Sequence, residues 1–193
     1  MSKVETFTHL HLHTTYSMLD GVGKAKDYAE RCAELGMEAA AITDHGTMAG
    51  MVEFYTEMNK AGVKPILGCE MYCVEDMHQR GLPEKDKEGL TATEIREKNK
   101  LRLRSPHLLL LAETDIGLRN LFRLNYYANT QGYYGKPRID LDLLEKHSEG
   151  IIATTTCVIS NMARYLQAKQ TDKMTAFFDK MLGIFGEDNL FIE

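Results

Sequence analysis

No apolar run in the sequence approaches the length of a membrane span, so no membrane partner is expected. The first residues, Met-Ser-Lys-Val-Glu-Thr, lack the apolar core of a secretory signal, and the expected compartment is cytoplasmic. Cysteine is scarce. Cys32, Cys69, Cys73 and Cys157 form no CxxC pair, which argues against a zinc ribbon or a thioredoxin-type redox site. No Gly-x-Ser-x-Gly is present for a serine nucleophile, and neither a phosphate-binding P-loop nor a dinucleotide glycine pattern occurs. An excess of basic charge is missing too. Lys and Arg total 23 against 28 Asp and Glu, for a net charge of -5. Domains that grip nucleic acid by counterion release are usually basic, so any such contact here must be local or supplied by other domains.

What remains is an ordinary soluble composition: 193 residues, 44% hydrophobic and 26% charged, enough for one domain with a real core. Strand-like and helix-like patterns alternate. Strands are expected at 7–13, 39–43, 65–72, 107–112 and 151–155, with a sixth starting at 190. Helices are expected at 24–35, 46–60, 116–128, 160–168 and 173–185. Such alternation implies parallel βαβ units, either doubly wound or closed into a β/α barrel. Residues 75–106 interrupt the pattern as a charged surface insertion, with a helix expected near 93–100. Its basic run, residues 96–104, reads as a solvated charge run ahead of a phosphate-contacting loop.

The most informative stretch is His9-Leu10-His11-Leu12-His13. In a strand its imidazoles project from one face and its leucines from the other. That pattern suits one wall of a metal site better than packing. Further ligand-capable side chains follow at expected strand ends: Asp20, Asp44, His45, Glu70 and Cys157. His107 is an exception, because it opens its strand. Placement at strand C-termini favours the barrel, where chemistry sits at that end. Each residue also has an ordinary reading. Asp20-Gly21 could be a turn, Asp44 an N-cap, His45 a satisfied loop histidine, His107 a strand-edge histidine and Cys157 a small hydrophobe. Glu70, after an apolar strand, is costly to bury without a cation. Imidazole and thiolate favour zinc, while carboxylates can bridge ions, and paired divalent ions suit phosphate ester hydrolysis.

The motifs His11-x-His13-Thr14, Asp20-Gly21, Ile42-Thr43-Asp44-His45-Gly46 and Gly68-Cys69-Glu70 together resemble the polymerase and histidinol phosphatase (PHP) superfamily. The fuller strings resemble its polymerase branch, found at the N-terminus of bacterial replicative DNA polymerase III alpha subunits. They are His9 to Gly21, Val52-Glu53-Phe54-Tyr55, Gly62 to Gly68 and Gly132 to Asp140. The resemblance implies a distorted seven-unit β/α barrel over residues 1–193, with its last units and an Asp-x-His ligand pair expected beyond Glu193. It implies a divalent metal cluster at His11, His13, Asp20, His45, Glu70, His107 and Cys157, with zinc foremost and manganese or magnesium as alternatives. His9 and Asp44 would stand behind those ligands. It further implies DNA as partner through a parent DNA-directed DNA polymerase whose palm is absent here. Other expected partners are a proofreading exonuclease subunit and further replisome subunits. Two roles lie within that branch, a metal-dependent 3′–5′ exonuclease and a scaffold that docks a separate exonuclease. A free-standing phosphomonoesterase is the third reading, disfavoured by the 75–106 insertion and the Gly132 to Arg138 segment.

Overall fold

The computed structural model describes residues 7–18, 20–102 and 105–193, with only the backbone of 100–102. Residues 1–6, on which the expectation about a secretory signal falls, and Leu103 and Arg104 of the basic run lie outside the described residues. The chain folds as a mixed α/β structure around a six-stranded sheet. Its strands are β1 (Ala39–Ile42), β2 (Lys64–Cys73), β3 (His107–Ala112), β4 (Arg138–Ile139), β5 (Ile151–Thr154) and β6 (Leu190–Phe191). They run in the order β1-β2-β3-β5-β6, with β4 beside β2. Among the described residues no helix is long and apolar enough to cross a membrane.

The expectation of an all-parallel arrangement is corrected at β3, which pairs antiparallel with both β2 and β5. The physical reason is the insertion. A crossover helix would carry the chain back to the far end of the sheet. Residues 74–106 instead return it to the end where β2 finishes, so that His107 lies opposite Tyr72. β3 therefore starts where its neighbours stop. His107, the sequence-level exception, reaches the same mouth as Glu70 because its strand runs backwards. The insertion is less superficial than expected. It carries a 3-10 turn at Glu84–Asp86 and helix α3 (Ala92–Arg102), and Met77 and Leu82 are buried.

The first expected strand, 7–13, forms no regular ladder. It lies parallel to β1 through a single bridge, His9 to Ala40, and through Ala41 N–H donating to His9 O and Thr43 N–H to Leu12 O. The Leu12 amide turns to the Thr43 hydroxyl at 2.8 Å, which takes a donor out of the ladder.

The helices α1 (Ala25–Glu34), α2 (Met51–Lys60), α4 (Asp115–Thr130), α5 (Leu141–Lys146), α6 (Asn161–Gln167) and α7 (Thr171–Phe185) cover the sheet. α2 starts five residues later than the periodicity suggests. Residues 46–50 form a loop, in which Gly46 (φ +59) presses against Tyr72 and Pro137. β4 and α5 are too short for periodicity to announce. α5 is set by the Asp140 carboxylate, which accepts from Leu143 N–H at 3.0 Å as an N-cap. The main core joins Met71, Leu108 and Leu110 of the sheet to Leu121 and Leu124 of α4 and Met181 of α7. A second core places Phe54 and Met58 of α2 with Ala29 of α1 and Ile42 of β1.

Candidate metal centre

Glu70 is the hub. It sits on β2 at 1% exposure, among residues that are otherwise apolar. Its Oε1 lies 2.8 Å from His107 Nδ1 and 3.3 Å from His11 Nε2, and its Oε2 lies 3.6 Å from His13 Nε2 and in contact with His45 Nδ1. The four histidines come from three places: the first segment gives two, the loop after β1 one, and the reversed β3 one. His11 Nε2 and His13 Nε2 are 3.1 Å apart, and the His13 and His45 rings stack at 4.1 Å. Two triplets share the carboxylate: His11, His13 and Glu70, and His45, Glu70 and His107. Ligand atoms in each triplet lie within 4.8 Å of one another. Donors about 2.0–2.2 Å from one ion stand roughly 3–4 Å apart, so each group is near a coordinating geometry.

Fit to a cation is visible in two atoms. His45 Nδ1 and Glu70 Oε2 are both buried, and neither has a hydrogen bond of acceptable geometry, although they touch. Buried polar atoms left without partners are costly. A shared divalent ion would satisfy both.

The electrostatics follow from Glu70. Burial works to raise its pKa, but His107, His11 and His45 hold it well below the usual carboxylate range, so the hub is an anion. The His11 pKa is raised to about 9, first by its hydrogen bond to Glu70 and, against the opposing effect of burial, by Glu193 as well. Burial, then the neighbouring His45, pulls His13 down, leaving a neutral lone-pair donor. For His45, burial works to lower the pKa, but Glu70 and Asp20 more than offset it and leave it raised.

The other expected residues fall in distinct places. Asp20 meets the outer edge of the group, its Oδ2 2.7 Å from His45 Nε2. Cys157 Sγ lies 3.8 Å from His107 Nδ1. His9 is not brought in. It is exposed, and its ring meets Phe7 edge-on at 4.9 Å. Asp44, 1% exposed, touches no imidazole. It accepts from Thr14 N–H at 2.6 Å, the Thr14 hydroxyl at 2.7 Å and the Ser17 hydroxyl at 2.7 Å. It caps no helix, since Gly50 holds that place in α2.

Four contributors escape sequence reasoning. Ser17 links His13 Nδ1 (3.1 Å), the His45 amide (3.1 Å) and Asp44. Its four-residue spacing from His13 is the only signal. Thr156 donates to Glu70 Oε1 at 3.2 Å from a left-handed backbone (φ +52), a strain of about 1 kcal/mol or more that non-glycine residues rarely adopt. Tyr72 flanks His45 and His107, and Glu193 Oε1 lies 2.8 Å from His11 Nδ1. Nothing in their local sequence marks them.

A mixed α/β sheet that gathers imidazoles around a buried carboxylate at one end of its strands defines a domain able to hold divalent cations. The chain belongs to the PHP domain family, whose model matches residues 9–193. Similar proteins include the DNA polymerase III subunit alpha of Helicobacter pylori (strain ATCC 700392 / 26695), 42% identical over 82% of this chain and 12% of that protein. The subunit of the same name from Borreliella burgdorferi is 35% identical over 97% of this chain and 15% of that protein. The chain thus spans about an eighth to a seventh of these two relatives' length. Likeness to solved structures is looser: an amidohydrolase from Chromobacterium violaceum matches 88% of this chain and 73% of that one, at 14% identity and TM-score 0.49.

Proposed function

We propose that the domain holds two or three divalent cations and hydrolyses phosphodiester bonds at DNA 3′ ends, as part of a replicative DNA polymerase alpha subunit. The observation that carries this reading is Glu70, a buried anion shared by two ligand triplets and ringed by four imidazoles. His11, His13 and Glu70 would hold one ion, and His45, Glu70 and His107 another, with Asp20 and Cys157 at the margins. The donor set of imidazole, carboxylate and thiolate suits zinc, with manganese or magnesium weighting the carboxylates. Bound there, such ions supply Lewis acidity for a phosphoryl centre. The chain's own part is positional. Asp44 and Ser17 fix His13 and His45, and Thr156 fixes the Glu70 carboxylate. The names of the similar proteins support a DNA context, and polymerisation would belong to the remaining length of such a protein. The sheet is read as part of a distorted seven-unit barrel.

The test uses full-length protein and a 3′-labelled oligonucleotide with zinc or manganese. Trimming that is lost in His13→Ala, with thermal melting and primer extension retained, upholds the reading. No trimming at any metal concentration overturns it and leaves a metal-stabilised scaffold for a partner exonuclease.

A further inference from the structure

Two cavities adjoin the Glu70 centre. One, of about 440 Å³, is lined by His11, His13, Tyr28 and Arg31. The other, of about 750 Å³, opens onto His45 and His107 and lies within the roughly 300–1,000 Å³ of small-molecule sites. Its walls are Thr15, Tyr16, Met18 and Asp20, the loop after β1, and the loop before β4, with Tyr72 and His107 behind them. Large side chains are left open there, with Tyr133 57% exposed, Tyr16 40% and Met18 82%. Together they place two aromatic rings and a thioether on the rim of a polar groove.

The same cavity positions one cation. Lys136 donates from Nζ to the Tyr72 hydroxyl at 3.0 Å and stands 4.7 Å over the Tyr72 ring. That ring meets His107 edge-on at 5.3 Å and stacks with His45 at 6.2 Å. The lysine is thus held one aromatic ring away from the imidazoles. Its loop is folded by Tyr134 N–H donating to Lys136 O at 3.0 Å. A Cβ on Gly46 would lie 2.7 Å from Pro137 Cγ, so the loop is also pressed against its neighbour. Among the described residues lining the cavity, Asp20 is the carboxylate, and it is engaged by His45. Glu53, nearby, accepts from the Tyr16 hydroxyl at 3.1 Å.

We infer that this groove seats the 3′-terminal nucleotides of a single DNA strand, an inference that rests on the phosphodiester reading above. Lys136 pairs with a phosphate next to the one at the centre, and Tyr133, aided by Tyr16, offers its face to a base. Single-strand sites commonly combine a cation tracking the backbone with aromatic stacking platforms. With a single lysine and a net-negative chain, stacking carries much of the affinity, and the salt dependence contributed by Lys136 amounts to about one phosphate.

The experiment has two arms on full-length protein. A short oligonucleotide carrying 5-bromodeoxyuridine at its 3′ end is irradiated with the protein, with and without zinc, and cross-linked peptides are mapped by mass spectrometry. Adducts on Tyr133 or Tyr16, depleted in Lys136→Ala, uphold the groove, and adducts confined to other regions overturn it. In the second arm, Lys136→Ala and Tyr133→Ala each raise KM for 3′ trimming about 5- to 50-fold with kcat within twofold, and Tyr133→Phe restores it. Both residues are exposed, and unchanged thermal melting checks the fold. Trimming that depends on His13 but ignores both substitutions overturns the groove and leaves the hydrolytic reading standing. Adducts on Tyr133 without any trimming do the reverse.

Discussion

Replacing Asp44 isolates the framework of the site from its ligands. The carboxylate is 1% exposed and accepts three hydrogen bonds, two from Thr14 and one from Ser17. Asp44→Ala leaves the buried Thr14 amide without an acceptor, at about 1–3 kcal/mol, and removes two further charge-assisted bonds. Relief from burying a charge offsets part of this, and Ser17 can turn fully to His13 Nδ1, already 3.1 Å away. A net loss of about 3 kcal/mol follows, a large share of the roughly 5–15 kcal/mol of an ordinary domain. Asp44→Asn keeps the shape. Its remaining oxygen can serve Thr14 N–H and Ser17, while its amide can donate to the Thr14 hydroxyl, so the loss falls to about 1–2 kcal/mol. Urea unfolding in chelator, with a shared m-value, measures both. Because Ser17 also orients His13 and His45, metal affinity should fall about 10- to 100-fold in the alanine variant. Variants within 0.5 kcal/mol of the parent, or asparagine as damaging as alanine, would refute this account of the first loop.

Other perturbations probe different links. Glu70→Gln removes the shared anion, so bound metal measured by mass spectrometry should drop by at least one ion per chain, and retention of full stoichiometry would sink the two-triplet picture. In chelator, the raised His11 contributes stability that is complete below its ordinary 6.5 and lost as pH climbs through about 9. The depressed Glu70 contributes above its ordinary 4.5 and loses that contribution as pH falls further. His13, with a lowered pKa, works against stability below 6.5 and trims the gain. The urea midpoint of the metal-free chain should therefore decline from pH 6.5 to 9.5, whereas metal affinity should rise over the same range as His11 gives up its proton; a flat midpoint contradicts the His11–Glu70 pairing. Gly46→Ala introduces a Cβ 2.7 Å from Pro137 Cγ and 2.9 Å from the Tyr72 ring at φ +59, and a loss of about 2–3 kcal/mol in urea unfolding is expected.

How much of this was legible depends on the range of each interaction. Helices α1, α4 and α7 and strands β1, β2, β3 and β5 announce themselves through periodicity or apolar runs, since each buries a face. β4 and α5 do not, because they are fixed by Asp140 and by pairing with Tyr72 and Cys73 rather than by pattern. Strand direction was beyond reach for a different reason: it depends on which end of the sheet residues 74–106 return to, and composition is blind to that. Yet direction is what unites the site. Read as parallel, β3 would place His107 at the wrong end, and the His45–Glu70–His107 group could not form. The alternating histidines were legible as a wall, but alternation assigned His9 the same standing as His11 and His13. The structure separates them because Glu70 reaches His11 and His13, whereas His9 remains beside Phe7. Local pattern thus supplies candidates, and a single buried charge on β2, one strand beyond the β1 that the histidine segment lies against, selects among them.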